Sequence, residues 1–239
     1  MYVRKKYFFS DAIEVEEHHS ARYGAPGQSR RPRRKKTPEQ IAKINQLNRI
    51  RAIARLIHWN FAPEDYWLTI TYKRELRPAN LEEAKKDMKI LRRKLQKAFR
   101  EAAVPMKWIQ KTEIGSRGGI HHHLLINRIP NLDQIITRLW EKGGIYIRLV
   151  YKQGGYRKLA EYIEKREGKE YYYSRSRNME EHPPKVETMK AKTFRKIRIP
   201  QGYVLDPASL VEGVNPLGYP YRHYTLLKVE QGKPPRKRE

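Results

Sequence analysis

The chain is 239 residues long and carries 52 Lys and Arg against 26 Asp and Glu, a net charge of +26, with 38% hydrophobic residues and no Cys. A surplus of that size points to a polyanionic partner, nucleic acid first, while the apolar share is enough for a core and excludes a wholly disordered chain. The lack of cysteine removes disulfides, thiolate metal sites and cysteine nucleophiles, and no apolar run approaches the roughly 20 residues of a membrane span, so no membrane partner and a cytoplasmic location are expected.

Residues 1 to about 36 show no sustained periodicity and end in a basic run, Arg30 to Lys36, broken by Pro32. They read as a mobile arm, either a solvated linker or a phosphate contact made by Arg33, Arg34 and Lys35. Thr37-Pro38-Glu39-Gln40 is a capping-box start. Ile41, Ile44, Leu47, Ile50, Ile53, Ala54 and Ile57 follow at helical spacing with Lys43, Arg49, Arg51 and Arg55 between them, an amphipathic basic helix. Tyr66 to Tyr72 reads as a first core strand. Asn80 then caps a long helix with Leu81, Ala84, Met88, Leu91, Leu95, Ala98 and Ala102 on one face.

Met106 to Ile114 and Ile120 to Ile126 read as strands joined by a glycine-rich loop, Gly115 to Gly119, and should pair as an antiparallel hairpin. Asn131 caps a short helix with Leu132, Ile135, Ile136, Leu139 and Trp140, stopped by Gly143-Gly144, before a strand over Ile145 to Val150. The order β-α-β-β-α-β is the split βαβ, or ferredoxin-like, arrangement of the α+β class: an antiparallel sheet with helices on one face and the other face available for ligand. A helix from Tyr156 to about Arg166 and a strand over Tyr171 to Arg177 follow. Residues 181–239, rich in proline and ending in Pro234-Pro235-Arg236-Lys237-Arg238, read as irregular wrapping segments and a basic tail. The expected organisation is an arm and helix over 1–60, a catalytic domain over 61–180 and an extension over 181–239.

Chemistry concentrates in two places. In Gly119-Ile120-His121-His122-His123-Leu124, period 2 puts His121 and His123 on one strand face and His122 on the other, toward the core or the helices. Folding the hairpin about Arg117 puts Glu113 opposite His121. Two imidazoles and a carboxylate can converge there on Mg²⁺ or Mn²⁺, although the same donors also fit Fe²⁺ or Zn²⁺. On the later helix Tyr162 and Lys165 lie side by side, three apart, so the cation can favour a phenolate nucleophile or stabilise charge building on a phosphate. Each feature alone also has an ordinary reading, as surface decoration or an amphipathic edge.

Together, Leu68-Thr69-Ile70-Thr71, His121-His122-His123 and Tyr162-Ile163-Glu164-Lys165 resemble the motifs of HUH endonucleases, specifically plasmid- and phage-type rolling-circle replication initiators. The likeness runs from about residue 65 to 178 and includes Tyr173-Ser174-Arg175-Ser176-Arg177. It implies that Tyr162 attacks a phosphodiester of single-stranded DNA at a hairpin-bearing replication origin, leaving a 3′-OH and a 5′-phosphotyrosine. It also implies that His121, His123 and Glu113 hold the activating metal. Arg117, Arg175 and Arg177 would contact DNA near the site. His122 stands where the family carries a bulky hydrophobe. Lys158 and Arg166 stand four residues either side of Tyr162, so no second tyrosine is present at that spacing. No phosphate-loop motif occurs, so, taken with the resemblance, a host helicase, together with a host polymerase, is the expected partner, and a bacterial host of a plasmid, phage or integrative element is expected. The rivals are a single-tyrosine transposase or relaxase with the same chemistry, and a non-catalytic ferredoxin-like nucleic-acid binder whose histidines are satisfied core residues.

Overall fold

The computed structural model describes residues 1–19, 37–115, 118–151, 156–165, 171–215 and 218–229. In chain order its elements are β1 (Tyr2–Phe8), β2 (Ala12–His18), α1 (Pro38–Asn60), β3 (Tyr66–Ile70), α2 (Leu81–Glu101), β4 (Trp108–Ile114), β5 (Ile120–Ile126), α3 (Leu132–Leu139), β6 (Ile145–Leu149), α4 (Arg157–Glu164), β7 (Tyr171–Arg175), β8 (Lys185–Met189), β9 (Tyr203–Val214) and β10 (Pro220–Lys228). The chain divides into two units, Met1–Asn45 with Glu181–Glu239, and Gln46–Glu180, and the division falls inside α1. Among the described residues, no helix is long and apolar enough to cross a membrane.

The unit of residues 46–180 is built on a sheet in the order β6-β3-β5-β4-β7, with every neighbouring pair antiparallel. Its first four strands in that order are the fourth, first, third and second of the β-α-β-β-α-β run, the split βαβ arrangement; β7 adds an edge beside β4. The even-numbered residues of β3 and β5, among them Leu68, Ile70, Leu124 and Ile126, meet the apolar stripe of α2 and Leu132 and Ile136 of α3. Asn80 caps α2 as its sequence requires, accepting from the Glu83 N–H at 3.0 Å, and Phe99 rather than Ala98 fills the far end of the stripe. The second face is covered in part as well. Ile50, Leu56 and Ile57 of α1 pack with Ala160 and Ile163 of α4 against Ile109 and Leu125, and Arg49 Nε donates to the buried Glu164 at 2.6 Å. The capping box at the start of α1 forms, Thr37 and Gln40 exchanging bonds at 3.2 and 3.3 Å.

The other unit corrects two expectations. Residues 2–8 and 12–18, expected to be a mobile arm, form a β-hairpin, and residues 185–189, 203–214 and 220–228, expected to be irregular, form strands. They make one sheet in the order β8-β1-β2-β10-β9. Alternation fails to mark the hairpin because part of what it buries is charged. Glu17, 1% exposed, accepts from Arg4 Nε at 2.6 Å and from Arg222 Nε at 2.6 Å, and a buried carboxylate is tolerated when paired in this way. The prolines mislead for a different reason. Pro207 lies in β9, an edge strand, and Pro220 is the first residue of β10, the two places where a sheet accepts a missing N–H.

Candidate functional site

Register along β4 and β5 builds the site. The hairpin pairs Glu113 with His121, Thr112 with His122 and Lys111 with His123, so the odd-numbered residues of both strands share the face on which α4 packs. His122 points the other way. It is fully buried, with Tyr72 Oη at 2.8 Å from Nε2 and Thr112 Oγ1 at 2.8 Å from Nδ1, and burial first, then the cations nearby, hold it down to about 3.

His123 is the centre of the cluster. Its Nε2 lies 3.1 Å from Glu113 Oε1 and 3.1 Å from Tyr162 Oη, and its Nδ1 lies 3.2 Å from Thr69 Oγ1. Trp67 stacks on the imidazole at 5.6 Å with the planes 6° apart, and meets the Tyr162 ring edge-on at 5.8 Å. Burial would raise the Glu113 carboxyl, but the hydrogen bond from His123 and the Lys111 ammonium 2.7 Å from Oε2 outweigh it and hold it at about 2. An ionised Glu113 only accepts, so Nε2 carries the imidazole proton and Nδ1 accepts from the Thr69 hydroxyl. Thr69 can also accept from Nδ1–H, which lets the imidazole turn its Nε2 lone pair toward a cation without losing a partner.

Lys111 completes the arrangement. Its side chain is 2% exposed, its Nζ is 2.7 Å from Glu113 Oε2, and it donates to the backbone carbonyls of Tyr162 at 3.2 Å and Lys165 at 2.6 Å. The ammonium thus caps the carbonyl end of α4, where a cation is favoured, and sits 5.3 Å from the Tyr162 ring centroid. The contact with Glu113 Oε2 is an ion pair without hydrogen-bond alignment, so this buried oxygen makes no hydrogen bond.

The structure brings Glu113, His123 and Tyr162 together. It sets His121 apart: a Cβ on Gly115 would fall 2.3 Å from His121 Nε2, so the ring lies over that glycine rather than beside His123. Burial, then His123 and Arg77, against Glu113, hold His121 below its ordinary range. Among the described residues, the group of three His and acidic donors whose ligand atoms all lie within 4.8 Å of one another is Glu14, Glu16 and His223, half-exposed in the other unit and compatible with a divalent metal. Lys165 is exposed at the end of α4, with its carbonyl on Lys111. Arg175 and Arg177 line a cleft beside α2 instead: Tyr171 is paired with Glu113 and Arg175 with Ile109, four positions or roughly 13 Å along the strand. Arg117, Arg33, Arg34 and Lys35 lie outside the described residues.

Sequence reasoning missed Lys111 and Trp67, and held Thr69 only as part of the Leu68-Thr69-Ile70-Thr71 motif with no partner assigned to it. The signal was present in the period of 2, which puts Lys111 on the same face as Ile109 and Glu113, and Trp67 and Thr69 on the face of His123.

The donors fit a divalent cation in part. Glu113 Oε1 and His123 Nε2 are 3.1 Å apart, close to the separation of two ligands held at about 2.1 Å and a right angle, and the unbonded Oε2 offers a further oxygen. Residues 65–167, fewer than half of the chain, match the family model of the ORF2 type of replication-associated protein. No curated protein and no solved structure gives a match.

Proposed function

We propose that the chain is a rolling-circle replication initiator of the HUH type that nicks and rejoins single-stranded DNA at an origin through a tyrosine intermediate. The observation that carries this reading is the placement of Tyr162 Oη 3.1 Å from His123 Nε2, itself 3.1 Å from Glu113. A phenol standing against an imidazole–carboxylate pair, 41% exposed, is where a phosphodiester can reach both a nucleophile and metal ligands. The likeness of residues 65–167 to a replication-associated family supports the biological side.

In this reading Tyr162 Oη attacks phosphorus, the bond from phosphorus to the 3′ oxygen breaks, and the phenolic proton ends on that oxygen. The products are a 3′-OH and a 5′-phosphotyrosine, and a later strand 3′-OH reverses the step. Glu113 and His123 would hold Mg²⁺ or Mn²⁺, joined by His121 once its ring leaves Gly115. The ion would polarise the phosphate oxygens. Trp67 and Thr69 fix the His123 ring, and Lys111 fixes the end of α4 and sets a positive charge beside the phenol. Lys165, exposed at the helix end, is assigned to the phosphate. A host helicase and polymerase would supply unwinding and synthesis.

The test is incubation with single-stranded DNA from a randomised pool and Mn²⁺, read as a denaturation-resistant protein–DNA adduct. Tyr162→Phe is expected to abolish the adduct and EDTA to prevent it. An adduct of undiminished yield from Tyr162→Phe would remove the assignment, and salt-dependent binding with no adduct in any form would leave a binding protein.

A further inference from the structure

A cleft of about 680 Å³ opens between α2 and the β4–β7 edge of the sheet. One wall is a row along the helix, Lys89, Arg93, Gln96 and Arg100, spaced four, three and four, so that all four side chains project from one flank; all are exposed. The other wall carries Arg175 and Arg177 from the end of β7 and beyond. Among the described residues, no acidic one lines the cleft. Lys89, Arg93, Arg100 and Arg177 make no ion pair among the described residues, whereas Lys85 and Lys97 on the same helix each pair with a glutamate. Between the walls Arg92 lies over the Trp108 ring, 4.2 Å from its centroid, and bonds to Gln110.

Like charges four apart on a helix destabilise it by a few tenths of a kcal/mol per pair. Arg177 across the cleft adds to that repulsion, and among the described residues no ion pair offsets it at Lys89, Arg93, Arg100 or Arg177. A polyanion offsets it directly. The helical row from residue 89 to 100 spans about 16 Å at 1.5 Å per residue, room for several consecutive phosphates of one strand. Arginine forks and exposed lysine are the groups that hold phosphate without reading sequence.

We propose that this cleft is a second site for phosphodiester backbone, holding single-stranded DNA apart from Tyr162. The proposal rests on the reading that the chain acts on DNA and adds where the rest of the strand is gripped. The cleft contributes affinity and salt dependence, while the bond broken is chosen at Tyr162.

The experiment compares two triple variants of α2 in a Tyr162→Phe background, where no adduct can accumulate. Lys89→Gln with Arg93→Gln and Arg100→Gln empties the helical wall. Lys86→Gln with Lys94→Gln and Lys97→Gln removes the same charge from the same helix at residues that do not line the cleft. Binding to fluorescein-labelled oligodeoxythymidylate is measured by anisotropy across a salt series, with circular dichroism confirming the fold. The cleft variant is expected to lose at least about tenfold in affinity at low salt and to flatten the log K against log salt slope by about two, at roughly 0.7 per phosphate contact for single strands. The control should change the slope by less than half of that. Arg177→Gln, on the opposite wall, should flatten it by about 0.7. Equal shifts in the two triple variants, or an unchanged slope in Arg177→Gln, would overturn the cleft while leaving adduct formation by Tyr162 intact. No salt-dependent binding by any form would overturn the cleft and the DNA reading together. A cleft-specific loss with no adduct from the Tyr162-bearing protein would keep the cleft and remove the nicking reaction.

Discussion

The ammonium of Lys111 donates to the backbone carbonyl of Lys165 at 2.6 Å, so a residue of a sheet strand fixes the end of the helix that carries Tyr162. The same ammonium neutralises Glu113. One buried cation therefore holds both the end of the helix that carries Tyr162 and the charge of the carboxylate facing that phenol.

Replacing Lys111 by Met leaves Glu113 as a buried charge without its partner and uncaps α4. Removing one member of a buried pair costs about 3 to 5 kcal/mol, and a loss at the low end of that range or above is expected in urea unfolding. Where the variant is still folded, adduct formation should fall at least about tenfold with little change in DNA affinity, because the loss lies in the placing of the phenol.

Thr69→Val keeps the shape of the side chain and removes the hydroxyl that holds His123 Nδ1. Partners of this kind typically contribute 10- to 100-fold in metal affinity. A Mn²⁺ titration followed by electron paramagnetic resonance should show a drop in that range. Unchanged affinity would mean that His123 is not a ligand.

His122 sets a limit on stability in acid. Its folded value of about 3 lies below the ordinary 6.5, so below pH 6.5 the unfolded chain takes up a proton that the native state refuses. Its contribution is fully present above pH 6.5 and is lost as pH falls toward 3, at up to about 1.4 kcal/mol per pH unit. Chemical denaturation at pH 7 and pH 5 measures this. His122→Phe should flatten the profile over that interval even if it lowers stability at pH 7.

Gly143 lies against the end of β3. A Cβ there would meet Thr71 O at 2.0 Å and Tyr72 Cα at 2.6 Å, both backbone positions that cannot swing away. Thr71 N–H to Gly144 O at 2.9 Å and Lys73 N–H to Lys142 O at 2.8 Å tie the same two segments. Gly143→Ala is expected to destabilise by roughly 2 kcal/mol or more, readable as a lowered thermal midpoint, while Gly118→Ala, where nothing lies within 4 Å, should change it less despite the left-handed backbone at that position.

The core of residues 46–180 was legible because its strands and helices bury apolar residues at clean periods of 2 and 3.6. The Glu113–His121 pairing followed from symmetry about the hairpin loop alone. What period and spacing could not supply was rotamer and partner. His121 and His123 share a face, yet one ring rests on Gly115 and the other on Trp67. Helical spacing points to Lys165 as the cation beside Tyr162, whereas Lys111 reaches the phenol ring from a strand. A lysine in mid-strand reads as solvent-facing, and its burial depends on carbonyls of an element some fifty residues later. The second sheet was hidden for a related reason: Glu17 and Arg222 occupy buried positions that an apolar pattern would leave to Val or Ile, with the half-buried Arg4 paired to Glu17.

Glu17 and Arg222 also impose an order of events. They are 205 residues apart in sequence, and β2 lies between β1, its immediate neighbour in the chain, and β10. On the ribosome the first hairpin emerges with half of its buried carboxylate uncompensated, and it stays so until all of residues 46–180 have been made. The sheet that starts first is therefore the one that closes last, and a chain cut short before Arg222 would expose an unfinished strand edge beside β2.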